Sequence, residues 1–453
     1  MIVPQNRLLF WAGGGVLPLS TLAAAFPETA LPVMVVLAAF VGWVAVDAVR
    51  SRHNTRQLAV ESPAVVRLAK GRPGTIPLRL TWSGSRSQRA RIGLALAGEV
   101  SAESTTLELP VTAHEPNIDI AWPIKGRRPG RYPLERIYLE MDSRHGFWAI
   151  RQTLPVASEL RVYPNLKTEY RLLKGMAFRH LSGIHTQRQV GKGRDFEQLR
   201  EYLPGDGYED IHWKATAKFG HPVTKVFQIE QTQEIYVALD ASRLSGRTMP
   251  VEDGAGVKAG EAPPPPTLLE RYITTALGLG VAALQQGDLF GLLTFSDRVT
   301  RFARAGSGHA HFNACLESIY TLRAEAVAPD FNDLFAFIAT HLRRRALIVF
   351  LTSLDDPVLA ESFAAHADMI RRQHVILVNM IRPPGARPLF SDPAVDTPAG
   401  IHQALAGHQT WQQLRETQRR LQRQSVRLTL METGRLSLQV ISQYLQIKQR
   451  QML

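Results

Sequence analysis

Charged, aromatic and glycine side chains concentrate between Gly191 and Glu230, in the run GKGRDFEQLREYLPGDGYEDIHWKATAKFGHPVTKVFQIE. Arg194, Asp195, Glu197, Arg200, Glu201, Asp206, Glu209, Asp210, Lys214 and Lys218 alternate in sign. Phe196, Leu199, Tyr202, Ile211, Trp213 and Phe219 interrupt them. Opposite charges threaded with large apolar groups predict a partly buried ion-pair network anchored by the Trp and Phe side chains. Buried pairs hold geometry more than they add stability, so the block reads either as a site or as a structural junction. Its candidate partner-binding residues are Arg194, Asp195, Arg200, Glu201, Asp206, Trp213 and Lys214. The sequence Leu203-Pro204-Gly205-Asp206-Gly207 is a turn, because Pro fixes φ and Gly tolerates positive φ.

A second set of chemistry-bearing side chains follows apolar runs downstream. Asp240 and Ser242 close one run, Ser296 and Asp297 a second, and Thr352, Ser353, Asp355 and Asp356 a third. Near-continuous apolar runs alternating with helical patterns predict a mainly parallel sheet covered on both faces. Ligands of such sheets bind beyond the carboxyl ends of the strands. Hard oxygens from three strand ends suit Mg²⁺, and Asp240, Ser242 and Asp355 are the candidate ligands of a degenerate metal site. The same groups also cap helix N-termini, so a metal-free edge and an Mg²⁺ site that hydrolyses phosphoryl or ester bonds both stay open.

Other chemistries find no motif. Gly191-x-Gly193 lacks a third glycine and follows no strand, which argues against dinucleotide binding. There is no Gly-x-x-x-x-Gly-Lys-Ser/Thr loop and no Gly-x-Ser-x-Gly elbow. His180, His185, His212 and His221 lack metal-site spacing. Cys315, the only cysteine, excludes an intramolecular disulfide and sits at helical spacing with Phe312, Ile319 and Leu322, as a small core residue does.

The elements that position these groups begin at a membrane. Leu8 to Phe26 and Ala30 to Val49 each approach the roughly 20 apolar residues that cross a bilayer. The short Pro27-Glu28-Thr29 connector makes them a hairpin. Arg7 precedes the first span, and Arg50, Arg52, His53 and Arg56 follow the second. The positive-inside rule therefore places both termini and the soluble mass in the cytoplasm. A net charge of +13 suits an anionic lipid surface, and nucleic-acid binding ranks behind that reading. From Leu58 to Tyr163, short alternating runs such as Thr75 to Trp82 and Ile118 to Ile124 predict a β-sandwich. Within it, Gly126 to Arg131 is a basic turn, either solvated or in contact with lipid headgroups. Beyond Glu234 lie α/β units, with helices expected over 268–285, 312–322, 334–342, 403–423 and 436–448 and strands over 289–295, 299–302, 347–352, 375–381 and 426–431. The composition of 246–267 is that of a flexible insertion, and 383–400 is a second long loop.

Gly193-Arg194-Asp195-Phe196, then LREYLPGD, then Ile211-His212-Trp213-Lys214-Ala215-Thr216-Ala217 resemble the signature of the bacterial domain-of-unknown-function 58 family. The match continues through Lys225, Phe227 and Glu230 into Leu239-Asp240. The resemblance implies a transmembrane hairpin (1–57), a β-sandwich-like domain (58–165), the signature segment (166–233) and an α/β von Willebrand factor A-like, Rossmann-like domain (234–453). It implies no established catalytic activity, and it implies association with MoxR-type AAA+ ATPases. The expected function is a non-catalytic adaptor at the bacterial inner membrane. In von Willebrand factor A-like domains the strand-end oxygens form a metal-ion-dependent adhesion site built on Asp-x-Ser-x-Ser. Here Leu244 takes the second Ser position, Ser245 comes one place late, Arg243 sets a cation beside the site, and Pro329 to Asn332 lack the expected Thr.

Overall fold

A computed structural model describes residues 1–52, 57–84, 87–112, 116–167, 169–171, 175, 190–204, 207–228, 233–249, 265–389, 391 and 397–450. They fall into two compact units, one spanning Met1–Asn165 and one running from Leu166 to Ala259 and from Pro265 to Leu453.

The first unit opens with strand β1 (Ile2–Pro4) and helix α1 (Asn6–Trp11). A π-helical turn over Ala12–Val16 contains Gly13, Gly14 and Gly15 and leads into α2 (Leu17–Ala25). Three adjacent glycines weaken the i→i−4 ladder, and a π-bulge is one way it relaxes. After the 3₁₀ turn Pro27–Thr29 comes α3 (Ala30–Ser51). Asn6–Ala25 and Pro27–Ser51 are long and apolar enough to cross a membrane, with mean hydropathy 1.6 and 2.3. Phe10, Leu17, Leu31, Met34, Val41 and Val49 all stand exposed on them. Apolar surface of that extent calls for a lipid environment.

The rest of this unit is strands: β2 (Leu58–Glu61), β3 (Val65–Ala69), β4 (Pro73–Trp82), β5 (Gln88–Leu94), β6 (Val100–Ala102), β7 (Thr106–Val111), β8 (Asn117–Gly126), β9 (Gly130–Asp142) and β10 (Trp148–Tyr163). One sheet has the order β1-β10-β9-β5-β7, with β3 parallel beside β10; the other is β2-β4-β8-β6. Period-2 alternation puts Ile76, Leu78, Leu80 and Trp82 of one sheet against Ile92, Ile137, Leu139 and Met141 of the other in a shared core. A register shift between Pro155 and Ser158 changes the parity of β9, so burial passes from Tyr132 and Leu134 to Ile137, Leu139 and Met141.

In the second unit, β11 (Val190–Glu201) and β12 (Val223–Gln228) form an antiparallel pair around the short helix α4 (Trp213–Phe219). Then follow β13 (Glu234–Asp240), α5 (Leu268–Gln285), β14 (Leu289–Phe295), β15 (Val299–Gly306), α6 (Gly308–Ile319), α7 (Phe331–His341), β16 (Ala346–Leu351), α8 (Pro357–Ala367), β17 (Val375–Ile381), α9 (Pro398–Arg423), β18 (Arg427–Met431) and α10 (Leu436–Gln449). The sheet order is β15-β14-β13-β16-β17-β18, parallel except for the antiparallel edge strand β15. Both faces are covered. Ile235, Val237 and Leu239 pack with α5, α6 and α10, while Tyr236 and Ala238 pack with α7, α8 and α9.

Helix α8 is absent from the sequence expectations. Its buried face is Ala360, Phe363, Ala364 and Ala367, and alanines make a faint apolar stripe. Most of the expected insertion, 250–264, lies outside the described residues. Its described ends are tied together, with Met249 N donating to Pro266 O and Leu268 N to Arg247 O, both at 2.9–3.0 Å.

Candidate functional site

The carboxyl end of β13 delivers Asp240 to the centre of the sheet edge, between the ends of β14 and β16. Its Oδ1 accepts from Ser242 N at 2.8 Å and its Oδ2 from Thr352 Oγ1 at 2.6 Å. Ser242 Oγ in turn accepts from Leu244 N and caps the 3₁₀ turn Arg243–Gly246. Tyr272, from α5, donates its hydroxyl to Thr352 O at 3.1 Å. Ser296 Oγ lies 2.8 Å from Glu325 Oε2 and 3.0 Å from Asp297 Oδ1.

Most of these groups lie inside the protein, although Asp297 and Glu325 are exposed. Asp240, Ser242, Ser245, Ser296 and Thr352 are each 0% exposed, and Ser353 is buried. Glu325 N donates to Ala241 O and Arg243 N to Val327 O, which draws the segment after α6 across the edge. Asp240 is therefore sealed at its strand end, while Asp297 is exposed and Asp355 and Asp356 are half-buried. Burial pushes the Asp240 carboxyl up, against hydrogen bonds from Ser242 and Thr352 that favour the anion. Burial, and then the charge of Asp240, push the Tyr272 phenol up.

Asp240 and Ser242 thus meet directly. Asp355 stands apart from their hydrogen bonds and pairs with Arg247. Asp330 and Asp356 cap α7 and α8, accepting from Asn332 N and Val358 N. Among the described residues, no group of three His, Cys, Asp or Glu side chains is placed to hold a metal. Both Asp240 oxygens are engaged by donors and Asp355 Oδ2 pairs with Arg247, while Asp355 Oδ1 and Ser245 Oγ are buried without a hydrogen-bond partner among the described residues.

The signature block is built differently. His212 caps α4 through Nδ1, which accepts from Ala215 N at 3.1 Å. Thr216 Oγ1 accepts from Val223 N at 3.1 Å and ties the helix to β12. Gly220 ends the helix at φ +73°, the left-handed position that glycine tolerates. His212, Thr216 and Gly220 are consumed by this local architecture, with Ile211, Ala215 and Val223 buried beneath it.

Its large apolar groups point outward. Tyr208 is 78% exposed, Trp213 69%, Leu203 58% and Phe219 56%. The Tyr202 and Tyr208 rings stack at 6.1 Å, and Lys218 Nζ lies 5.9 Å from the Phe219 ring centroid. The partly buried network anchored by Trp213 and Phe219 is therefore corrected: these side chains face solvent. Arg200 reaches the Glu201 carbonyl at 3.4 Å, Glu201 pairs with His221 at 3.6 Å, and Lys214 is exposed. The side chains of Arg194 and Asp195, and Asp206 entirely, lie outside the described residues.

A feature that sequence reasoning missed is the lock on the C-terminal helix. Asp288 Oδ2, fully buried, accepts from Tyr444 Oη at 2.5 Å and Lys448 Nζ at 2.8 Å, and Oδ1 accepts from Gln233 N. The Asp after the Gly287 turn and the Tyr/Lys pair at i, i+4 were its only signal.

Residues 198–389 match the model of a family described as a protein of unknown function, DUF58, so the chain carries that family's region. No curated protein matches the chain. Among solved structures it is similar to an aerotolerance-related membrane protein from Bacteroides fragilis, at 16% identity over 47% of this chain and 97% of that one, with a TM-score of 0.27. It is also similar to proximal thread matrix protein 1 of the mussel byssus (11% identity, 47% and 44% of the two chains, TM-score 0.25). A PapD-like domain of human CEP192 aligns at 9% identity over 24% of this chain and 87% of that one, with a TM-score of 0.18.

Proposed function

We propose that the protein is a membrane-anchored, non-catalytic adaptor that docks a protein partner on the signature face around α4. The observation that carries this reading is the exposure of Leu203, Tyr208, Trp213 and Phe219. Exposed Trp and Tyr beside Arg200 and Lys214 have the composition of an interface hot spot. The partner that the family resemblance implies is a MoxR-type AAA+ ATPase, acting in envelope or complex assembly. The α/β unit is read as von Willebrand factor A-like, supported by its strand order and by Asp240-x-Ser242 closing the central strand. In this reading the adhesion-site remnant is a hydrogen-bonded lock, free of metal, that fixes the edge of the sheet. Basic flanks at Arg7, Arg50 and Arg52 support a bacterial inner-membrane hairpin with both termini in the cytoplasm.

The test is co-purification of the full chain from membranes with the MoxR-type ATPase of the same cell. Trp213→Ala combined with Tyr208→Ala is expected to cut recovery at least tenfold, the effect of losing one to two hot-spot residues. Unchanged recovery would remove the signature face from the reading.

A further inference from the structure

The tip of the β9–β10 hairpin is clamped to the base of the two spans. Ser143 Oγ donates to Asp47 Oδ2 at 2.6 Å, His145 N to Asp47 Oδ1 at 3.3 Å, and Arg144 N to Ser51 Oγ at 3.2 Å. Trp148 Nε1 donates to Val44 O at 3.0 Å, and Gln5 N donates to Phe147 O at 2.9 Å. Asp47, near the end of an apolar helix, is thereby buried and satisfied.

Beside this clamp lies an open hollow of ≈ 530 Å³. Its walls are Phe10, Trp11, Trp43 and Phe147, with Trp43 packed edge-on against Phe147 at 5.1 Å and against His145 at 5.0 Å. Asn6, Arg7 and His145 complete its lining. Among the described residues no carboxylate pairs with Arg7, and no side-chain hydrogen bond engages Asn6 or His145. Arg7 lies across Gly146, whose φ is +73°; a Cβ there would stand 3.1 Å from Arg7 Nη1. Glycine thus lets the guanidinium settle at the mouth of the hollow.

We propose that this hollow binds the phosphate of an anionic membrane phospholipid. Three residues that can donate, Asn6, Arg7 and His145, line one hollow, and a phosphate oxygen is the acceptor that a planar guanidinium suits best. The site stands where the exposed apolar helices end. Tryptophan belts occupy that depth, and the acyl chains below a bound headgroup would run along the exposed faces of α1 and α3. The proposal rests on the membrane-spanning reading of the two helices and is independent of the protein partner.

The test uses the full chain purified in detergent, with native mass spectrometry of retained phosphatidylglycerol against phosphatidylcholine. The wild type is expected to retain phosphatidylglycerol preferentially. Arg7→Gln is expected to lower that preference roughly fivefold, the effect of one basic residue at an anionic surface. Arg7→Lys should keep most of it, and His145→Gln should lower it less than Arg7→Gln does. Arg128→Gln, in the basic Gly126 to Arg131 turn, should leave it unchanged. Millimolar inorganic phosphate should not displace the lipid. No preference in the wild type, an unaltered preference in both Arg7→Gln and His145→Gln, an equal loss in Arg128→Gln, or displacement by inorganic phosphate would each overturn the proposal.

Discussion

At Asp240 the sheet ends in a carboxylate that solvent does not reach, held by one backbone N–H and one hydroxyl. Removing the acceptor leaves both donors buried without a partner. Asp240→Ala is expected to cost about 2–4 kcal/mol in the unfolding free energy of the full chain in detergent. Asp240→Asn keeps one acceptor and gives Thr352 a donor to accept from, so it should cost less than about 1 kcal/mol. The pH dependence has a definite sign. Because the folded state raises the Asp240 pKa, stability linked to it is present below the ordinary aspartate value of about 4 and is lost as pH rises through the raised value. The wild-type melting temperature should therefore fall across that window more steeply than that of Asp240→Asn. Glu169, also raised by burial, keeps some slope in both. An identical slope would contradict the buried-carboxylate assignment. The sequence showed which oxygens stand at the strand ends. It could not show the sealing of Asp240, because that depends on backbone bonds from Ala241 and Arg243 to Glu325 and Val327, far along the chain.

Elements were legible wherever their apolar pattern was strong. Helix α5 and strands β14 and β17 occupy the ranges expected from periodicity alone, since each is buried along nearly its whole length. β9 and β10 are harder to read from sequence, because their register shift breaks the alternation that a period-2 reading follows. Charged contacts between distant elements were illegible. The seal of α10 on the sheet is the clearest case, where Asp288 takes Tyr444 and Lys448 from the other end of the unit. Burial, and then the hydrogen bond to Asp288, push the Tyr444 phenol up, in keeping with its role as a donor. Asp288→Ala leaves the buried Tyr444 hydroxyl without its acceptor and takes the carboxylate from the partly exposed Lys448 ammonium, which keeps the Gln286 carbonyl, and is expected to destabilise the full chain by about 2–4 kcal/mol. Tyr444→Phe should lose about 1.5–3 kcal/mol, one hydrogen bond to a charged group. Equal and small losses in the two variants would show that α10 is held by its apolar face alone.

On the scale of the whole molecule, two sets of exposed apolar side chains have different consequences. Along α1 to α3 they form continuous helical faces suited to lipid. On the signature block they are Leu203, Tyr208, Trp213 and Phe219, interspersed in the sequence with the exposed Lys214 and Lys218, the composition proposed above for a protein contact. The signature block was recognisable from its residues, yet its outward-facing aromatics were not, because a Trp among charges reads equally as an anchor or as a contact. The single cysteine makes the distinction measurable. Cys315 is buried, and burial pushes its thiol up to about 11, so the wild type should react negligibly with maleimides near neutral pH. Ala217→Cys places one reactive thiol on the exposed side of α4, one helical turn from Trp213, and leaves the aromatic set intact. In inside-out membrane vesicles this thiol should label readily, and saturating MoxR-type ATPase should slow the labelling at least tenfold. A labelling rate that the ATPase leaves unchanged would contradict the account.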